Sequence, residues 1–193
     1  YPKEMFVEQL LRRLPLLKKM RTGFESSQLI EPEVVWRNYE MSYTVNVLEP
    51  LFRFPTTTIL QEYFVPIDQI LVFTDMLRET VKKYGINVIN VSVRYVPHNK
   101  ESLLTYASQD SFAFVLYINM LNTSSGKSEA KVWTRQFVDN VLAVGGTYYL
   151  PYQLYPTRAQ LHRAYPRFND FMAIKHQYDP HKKFWNNFFA YYV

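Results

Sequence analysis

An arginine in the middle of a strand-like run is the residue that first invites a chemical reading. In VINVSVRYVPHN, residues 88–99, Arg94 shares a period-two register with Asn90 and Ser92, while Ile89, Val91, Val93 and Tyr95 fill the other side. A guanidinium is permanently charged, and on a sheet face it can stabilise an anion or a developing negative charge. Glu62, in LQEYFVP, is its natural counterpart. The plainer reading is a solvated sheet face with a cross-strand Glu62–Arg94 pair, a contribution of under ~1 kcal/mol.

Alternation leaves open which neighbours share that side. The choices are Leu60, Glu62 and Phe64, or Gln61 and Tyr63. Further on they are Ala113, Val115, Tyr117 and Asn119, or the opposite set. Last come Tyr148, Leu150 and Tyr152, or Tyr149 and its partners. A face that combines Arg, Glu, Asn and several Tyr suits a polyol or a site of negative charge.

Other chemistries lack their residues. The histidines, His98, His162, His176 and His181, show neither HxxxH nor HExxH spacing, so no metal site is expected. There is no GxSxG and no cysteine, which removes serine-hydrolase signatures and all thiolate chemistry. Only 5 glycines occur, with no nucleotide-binding glycine loop among them. Asp179-Pro180 reads as a helix stop.

These candidates need a scaffold. TILQEYFV reads as a strand ended by Pro66. Residues 67–84 read as an amphipathic helix, with Ile70, Phe73, Thr74, Leu77 and Val81 on one face and Gly85 as its cap. INVINVSVRYV and SFAFVLYINML follow as strands, with SLLTYAS as a short helix between them. NTSSGKSEA reads as a polar turn, and AKVWTRQFVDNVLAVGG as a second amphipathic helix. TYYLPYQ is extended, residues 157–179 are helical in two pieces split near Pro166, and the tail is aromatic. The expected fold is α+β: a mostly antiparallel sheet, helices on one face, and the other face open. Ile89, Val91 and Val93 would pack under the helices, leaving Asn90, Ser92 and Arg94 on the uncovered side.

The 193 residues, 48% of them hydrophobic, are enough for a real core. Residues 1–57 read as an N-terminal helix, spanning 4–20, and a connecting arm. Residues 58–193 read as the main domain. The helix, EMFVEQLLRRLPLLKKM, is basic and amphipathic with Pro15 inside it. It suits packing on a parent protein or a peripheral membrane contact. The net charge of +5 is dispersed, so no nucleic-acid partner is expected. No apolar run approaches ~20 residues. The chain opens on Tyr1 without a signal-like segment, and is read as a cytoplasmic piece of a longer polypeptide.

In series, LQEYFVP, NVINVSVRYVP, GGTYYLPYQ, HRAYPRFNDFMAIKHQYDP and FWNNFF resemble the C-terminal substrate domain of FAD-linked oxidases of the vanillyl-alcohol oxidase type. Within them, the segments are most similar to the aldonolactone, alditol and decaprenylphosphoryl-ribose oxidase group, over residues 36–190. The resemblance implies FAD as cofactor, an FAD-binding domain in the same polypeptide, and a small-molecule substrate carrying a sugar-like or alcohol C–OH. It implies hydride transfer from that carbon to flavin N5, with a sheet of the cap domain lying over the flavin ring. Arg94 matches an arginine beside flavin and substrate, and so is the catalytic candidate. Glu62 matches a substrate-facing strand position. Ser92 stands where relatives carry glutamate. Tyr152 stands where they carry the lysine of a His-Trp-Gly-Lys motif, which replaces a cation by a hydrogen-bonding phenol. Tyr117 matches the same pocket as a substrate contact, and Tyr149 and Asn186 match cofactor contacts. The competing reading is a non-catalytic α+β module whose aromatic sheet face binds a ligand or stacks RNA bases.

Overall fold

The computed structural model describes residues 55–193. The helix expected over residues 4–20 and nearly all of the connecting arm lie outside them.

The first strand, β1 (Thr56–Pro66), runs into a single 3-10 turn at Ile67–Gln69 and then into helix α1 (Ile70–Tyr84). Phe73 and Leu77 are buried on α1's inner face, with Ile70 and Val81 packed beside them. Gly85 ends the helix in the left-handed region at φ 60°, where its amide meets the carbonyls of Lys82 and Val81. The amide of Ile86 returns to the Val81 carbonyl at 3.0 Å, completing a helix-terminating motif that glycine makes cheap.

Strands β2 (Asn87–Val96) and β3 (Ser111–Leu121) pair antiparallel. Helix α2 (Ser124–Ala143) follows at once. The polar stretch read as a turn is in fact its first turns: Thr123 caps the helix by accepting from the Gly126 amide at 3.0 Å. Ser, Thr and Gly satisfy a helix start as readily as a loop, which is why the sequence misled. Strand β4 (Thr147–Tyr148) pairs antiparallel with β1. Helix α3 (Arg158–Ala164) opens on a reciprocal cap between Thr157 and Gln160. Helices α4 (Phe168–Tyr178) and α5 (Asn187–Tyr192) close the chain.

The sheet order is β2-β3-β1-β4, and β1, α1, β2, β3, α2, β4 follow one another in sequence. This is the split β-α-β arrangement, and both helices of the repeat pack on one side of the sheet. There Tyr63 meets Phe73 and Phe137 at 6.1 and 5.8 Å, and Phe73 meets Phe114 at 5.2 Å. The expected α+β architecture is the observed one.

Two further expectations need correction. Val91 and Val93 pair with Leu116 and Phe114, so they do point to the helix side. They are nonetheless 42% and 48% exposed, on a strand that lies at the edge of the sheet. Ile89 is buried, but as the extra residue of an irregularity between Val88 and Asn90. The second correction concerns SLLTYAS, which forms turns and irregular backbone, not a helix.

Candidate functional site

The register on the opposite side of the sheet selects among the alternatives that alternation left open. Tyr63 pairs with Tyr148 and faces the helices, so Glu62 and Phe64 face away from them. The amide of Tyr149 donates to the Glu62 carbonyl at 2.9 Å, which extends the ladder by one step and brings Tyr149 to the same side as Glu62. Across β2 and β3, Arg94 pairs with Ala113, Ser92 with Val115 and Asn90 with Tyr117. Opposed residues in a ladder share a face, so all of these project together.

Ala113 makes the central contact possible. It is fully buried and carries only a methyl group, so the Arg94 side chain can cross β3 above it and reach β1. Its Nη2 lies 3.2 Å from Glu62 Oε1. The hydroxyl of Tyr152 donates to the other carboxylate oxygen, Oε2, at 3.2 Å. The Glu62 side chain is 9% exposed and that of Arg94 is 62% exposed. The carboxylate is thus shielded while the cation stays accessible. A buried carboxylate demands such partners, and here a guanidinium and a phenol supply them.

Burial and the negative charge of Glu62, with the hydrogen bond to it and the nearby Tyr149 and Tyr117, push the Tyr152 phenol up to about 12. At neutral pH it is therefore protonated and acts as a donor. Aromatic rings continue the surface. Tyr149 stands edge-on to Tyr152 at 5.5 Å and to Phe64 at 6.2 Å, and Phe64 stacks on Tyr106 at 4.5 Å.

Of the seven residues singled out in the sequence, six share this region. Arg94, Glu62 and Tyr152 are in direct contact, and Tyr149 packs on Tyr152. Tyr117 is near enough to act on the Tyr152 phenol, and Ser92 lies two residues from Arg94 on the same face. Asn186 lies off the sheet, at the start of α5. Its Oδ1 accepts from the Phe189 amide at 3.2 Å and caps α5. It lines a groove of about 820 Å³, together with Tyr152, Leu154 and Phe188. Asp179 builds the turn that presents it: its carboxylate pairs with Lys175 and accepts from the amides of Lys183 and Phe184 at 2.7 and 3.1 Å. Lys175 and these amides hold that carboxyl below its ordinary range.

Sequence reasoning missed two parts of this site. Tyr106 arrives on a loop whose residues were read as helix, and no periodic signal marks it. Gln153 is the second: its Oε1 accepts from Gln61 Nε2 at 2.9 Å, which ties the segment after β4 to β1 on the helix side while Tyr152 ties it on the other. Among the described residues no group of three His, Asp or Glu side chains is placed to hold a metal ion.

The arrangement offers one accessible cation, one shielded carboxylate and a wall of phenols. That chemistry suits a hydroxylated substrate held beside a centre that gains negative charge. The family model of D-arabinono-1,4-lactone oxidase matches residues 5–192. No curated protein sequence matched the chain.

Proposed function

The chain belongs to the D-arabinono-1,4-lactone oxidase family of FAD-linked oxidoreductases, and from that premise we propose that it forms the substrate domain of an enzyme oxidising a sugar-like or alcohol C–OH group. The observation that carries this reading is the pairing of an exposed Arg94 with a shielded Glu62 on the sheet face away from α1 and α2.

The described residues fit one part of the cofactor, the flavin ring. A flat, electron-accepting ring suits a face with a fixed cation and exposed aromatic edges. The five glycines supply no phosphate-cradling loop motif, so we assign the pyrophosphate to a separate FAD-binding domain of the same polypeptide. When bound, FAD supplies the hydride acceptor of the reaction.

The chain's own residues do the rest. Tyr149 and Asn186 would hold the flavin. The guanidinium of Arg94 stabilises negative charge as it develops, and Glu62 already holds it in place, so little reorganisation is required. The carboxylate oxygens of Glu62 retain lone pairs that accept a substrate hydroxyl, which orients the C–H bond to be broken. Ser92 and Tyr117 extend the polar wall, and Tyr152 keeps Glu62 oriented. Because Tyr152 stands where relatives carry lysine, the substrate has one cation fewer to meet. We therefore do not confine it to simple sugar lactones. We place the enzyme in the cytoplasm, with residues 4–20 available for a peripheral membrane contact.

The test is anaerobic bleaching of the flavin in the polypeptide that carries both domains, against a panel of polyols, aldonolactones and simple alcohols. Bleaching by at least one hydroxylated substrate is expected. A flavin that stays oxidised across the whole panel would remove the reading.

A further inference from the structure

Tyr106 belongs to no part of the proposal above, yet the structure holds it with care. Between β2 and β3 the chain makes a loop over residues 97–110, closed at its base by Asp110. That carboxylate accepts from the His98 amide at 2.9 Å, contacts His98 Nδ1 at 2.9 Å and accepts from the Tyr95 hydroxyl at 3.0 Å. Further along, Ala107 is buried, its carbonyl accepts from the Asn99 amide at 2.8 Å, and its own amide donates to Thr105 Oγ1 at 3.2 Å. Thr147 Oγ1, on β4, donates to the Tyr106 carbonyl at 2.5 Å. The backbone on both sides of residue 106 is thus pinned to the loop itself and to the sheet.

What this presents is a ring. Tyr106 is 40% exposed, although a tyrosine on so well anchored a segment could have been turned fully inward. One face stacks on Phe64 at 4.5 Å with the planes 27° apart, and the ring stands nearly perpendicular to Tyr149 at 5.6 Å. Phe64 is only 3% exposed. Tyr149 in turn meets Tyr152 at 5.5 Å, and Tyr152 donates to Glu62. A continuous line of contacts therefore runs from the loop to the carboxylate: Tyr106, Tyr149, Tyr152, Glu62. Aromatic pairs of this geometry each contribute roughly 0.5–1.5 kcal/mol beyond the area they bury. That is enough to decide between ring orientations at a partly exposed site.

We propose that Tyr106 is a positioning residue: its ring, fixed by the 97–110 loop, holds Tyr149 upright and so keeps Tyr152 hydrogen-bonded to Glu62. The inference rests on the reading of Glu62 as the substrate-orienting carboxylate, but its physical content is the coupling between loop and phenol, which can be measured without turnover. The contact uses the ring and not the hydroxyl, so phenylalanine preserves it, whereas leucine fills space without presenting a flat edge.

The experiment follows the Tyr152 ring carbon by NMR in the full chain while pH is raised, in the wild type and in Tyr106→Phe, Tyr106→Leu and Tyr106→Ala. In the wild type, burial and then Glu62 push the phenol up to about 12. With the line of rings broken, water reaches it, and its titration in Tyr106→Ala and Tyr106→Leu should begin about one unit lower. Tyr106→Phe should match the wild type. An unmoved Tyr152 titration in Tyr106→Leu overturns the coupling, as does a fall in Tyr106→Phe equal to that in Tyr106→Ala. Failure of the oxidoreductase reading would appear in flavin reduction and leave this result untouched.

Discussion

Glu62 and Tyr152 show how much one side chain's setting decides. Tyr152→Phe removes the donor to Oε2 and leaves the shielded carboxylate with Arg94 alone. Loss of such a bond costs about 1 kcal/mol, or roughly fivefold in substrate affinity if Glu62 orients the substrate. Titration of substrate binding in Tyr152→Phe checks this; an unchanged affinity would detach Tyr152 from the site. The phenol also makes a pH prediction. Its folded value, about 12, lies above its ordinary value of 10.0. Folding therefore favours the protonated form, and the stability this confers is complete below pH 10 and is lost as pH rises towards 12. Denaturant midpoints across that window should fall less steeply in Tyr152→Phe than in the wild type. The Glu62–Arg94 pair was legible in the sequence as a cross-strand pair of opposite charge, but alternation left the side of Glu62 open, and the pairing of Tyr63 with Tyr148 decides it. Tyr152's part was not legible, since it lies beyond the end of β4, where alternation no longer constrains direction.

At the level of elements, the strands, the two long helices and their order could be read from hydrophobic periodicity, and Gly85 from its place after a helix. What could not be read depended on neighbours in space. Val91 and Val93 look like core residues because they alternate like core residues, and only the sheet order shows that they sit on an edge. The aromatic tail forms a short helix because Asn186 caps it and Phe189 and Tyr192 bury themselves, a packing result with no strong local signal. Gly146 is a sharper case. A Cβ there would stand 2.3 Å from the Phe64 carbonyl and 2.6 Å from Val141 Cγ2. Backbone is in the way, so Gly146→Ala should displace β4 from β1 and destabilise by ~1–3 kcal/mol. Gly85→Ala meets no atom within 4 Å and pays only for φ +60°, about 1 kcal/mol. Chemical denaturation of both variants tests the contrast; equal losses would refute the close-approach argument.

For the whole molecule, membership of the D-arabinono-1,4-lactone oxidase family and an α+β fold with a polar sheet face are the two findings that support the proposed substrate domain. Sequence alone reached the family because its segments occur in order, and it reached the face because Arg94 stood out on it. On the proposed reading, Ser92 and Tyr152 are the positions at which substrate preference is expected to be set. The most direct test is single-turnover reduction of the flavin in the two-domain enzyme, wild type against Arg94→Ala, with the substrate that bleaches it best. Removal of a cation placed to stabilise developing negative charge should slow reduction by ~10²-fold or more. Reduction at an unchanged rate would contradict the account.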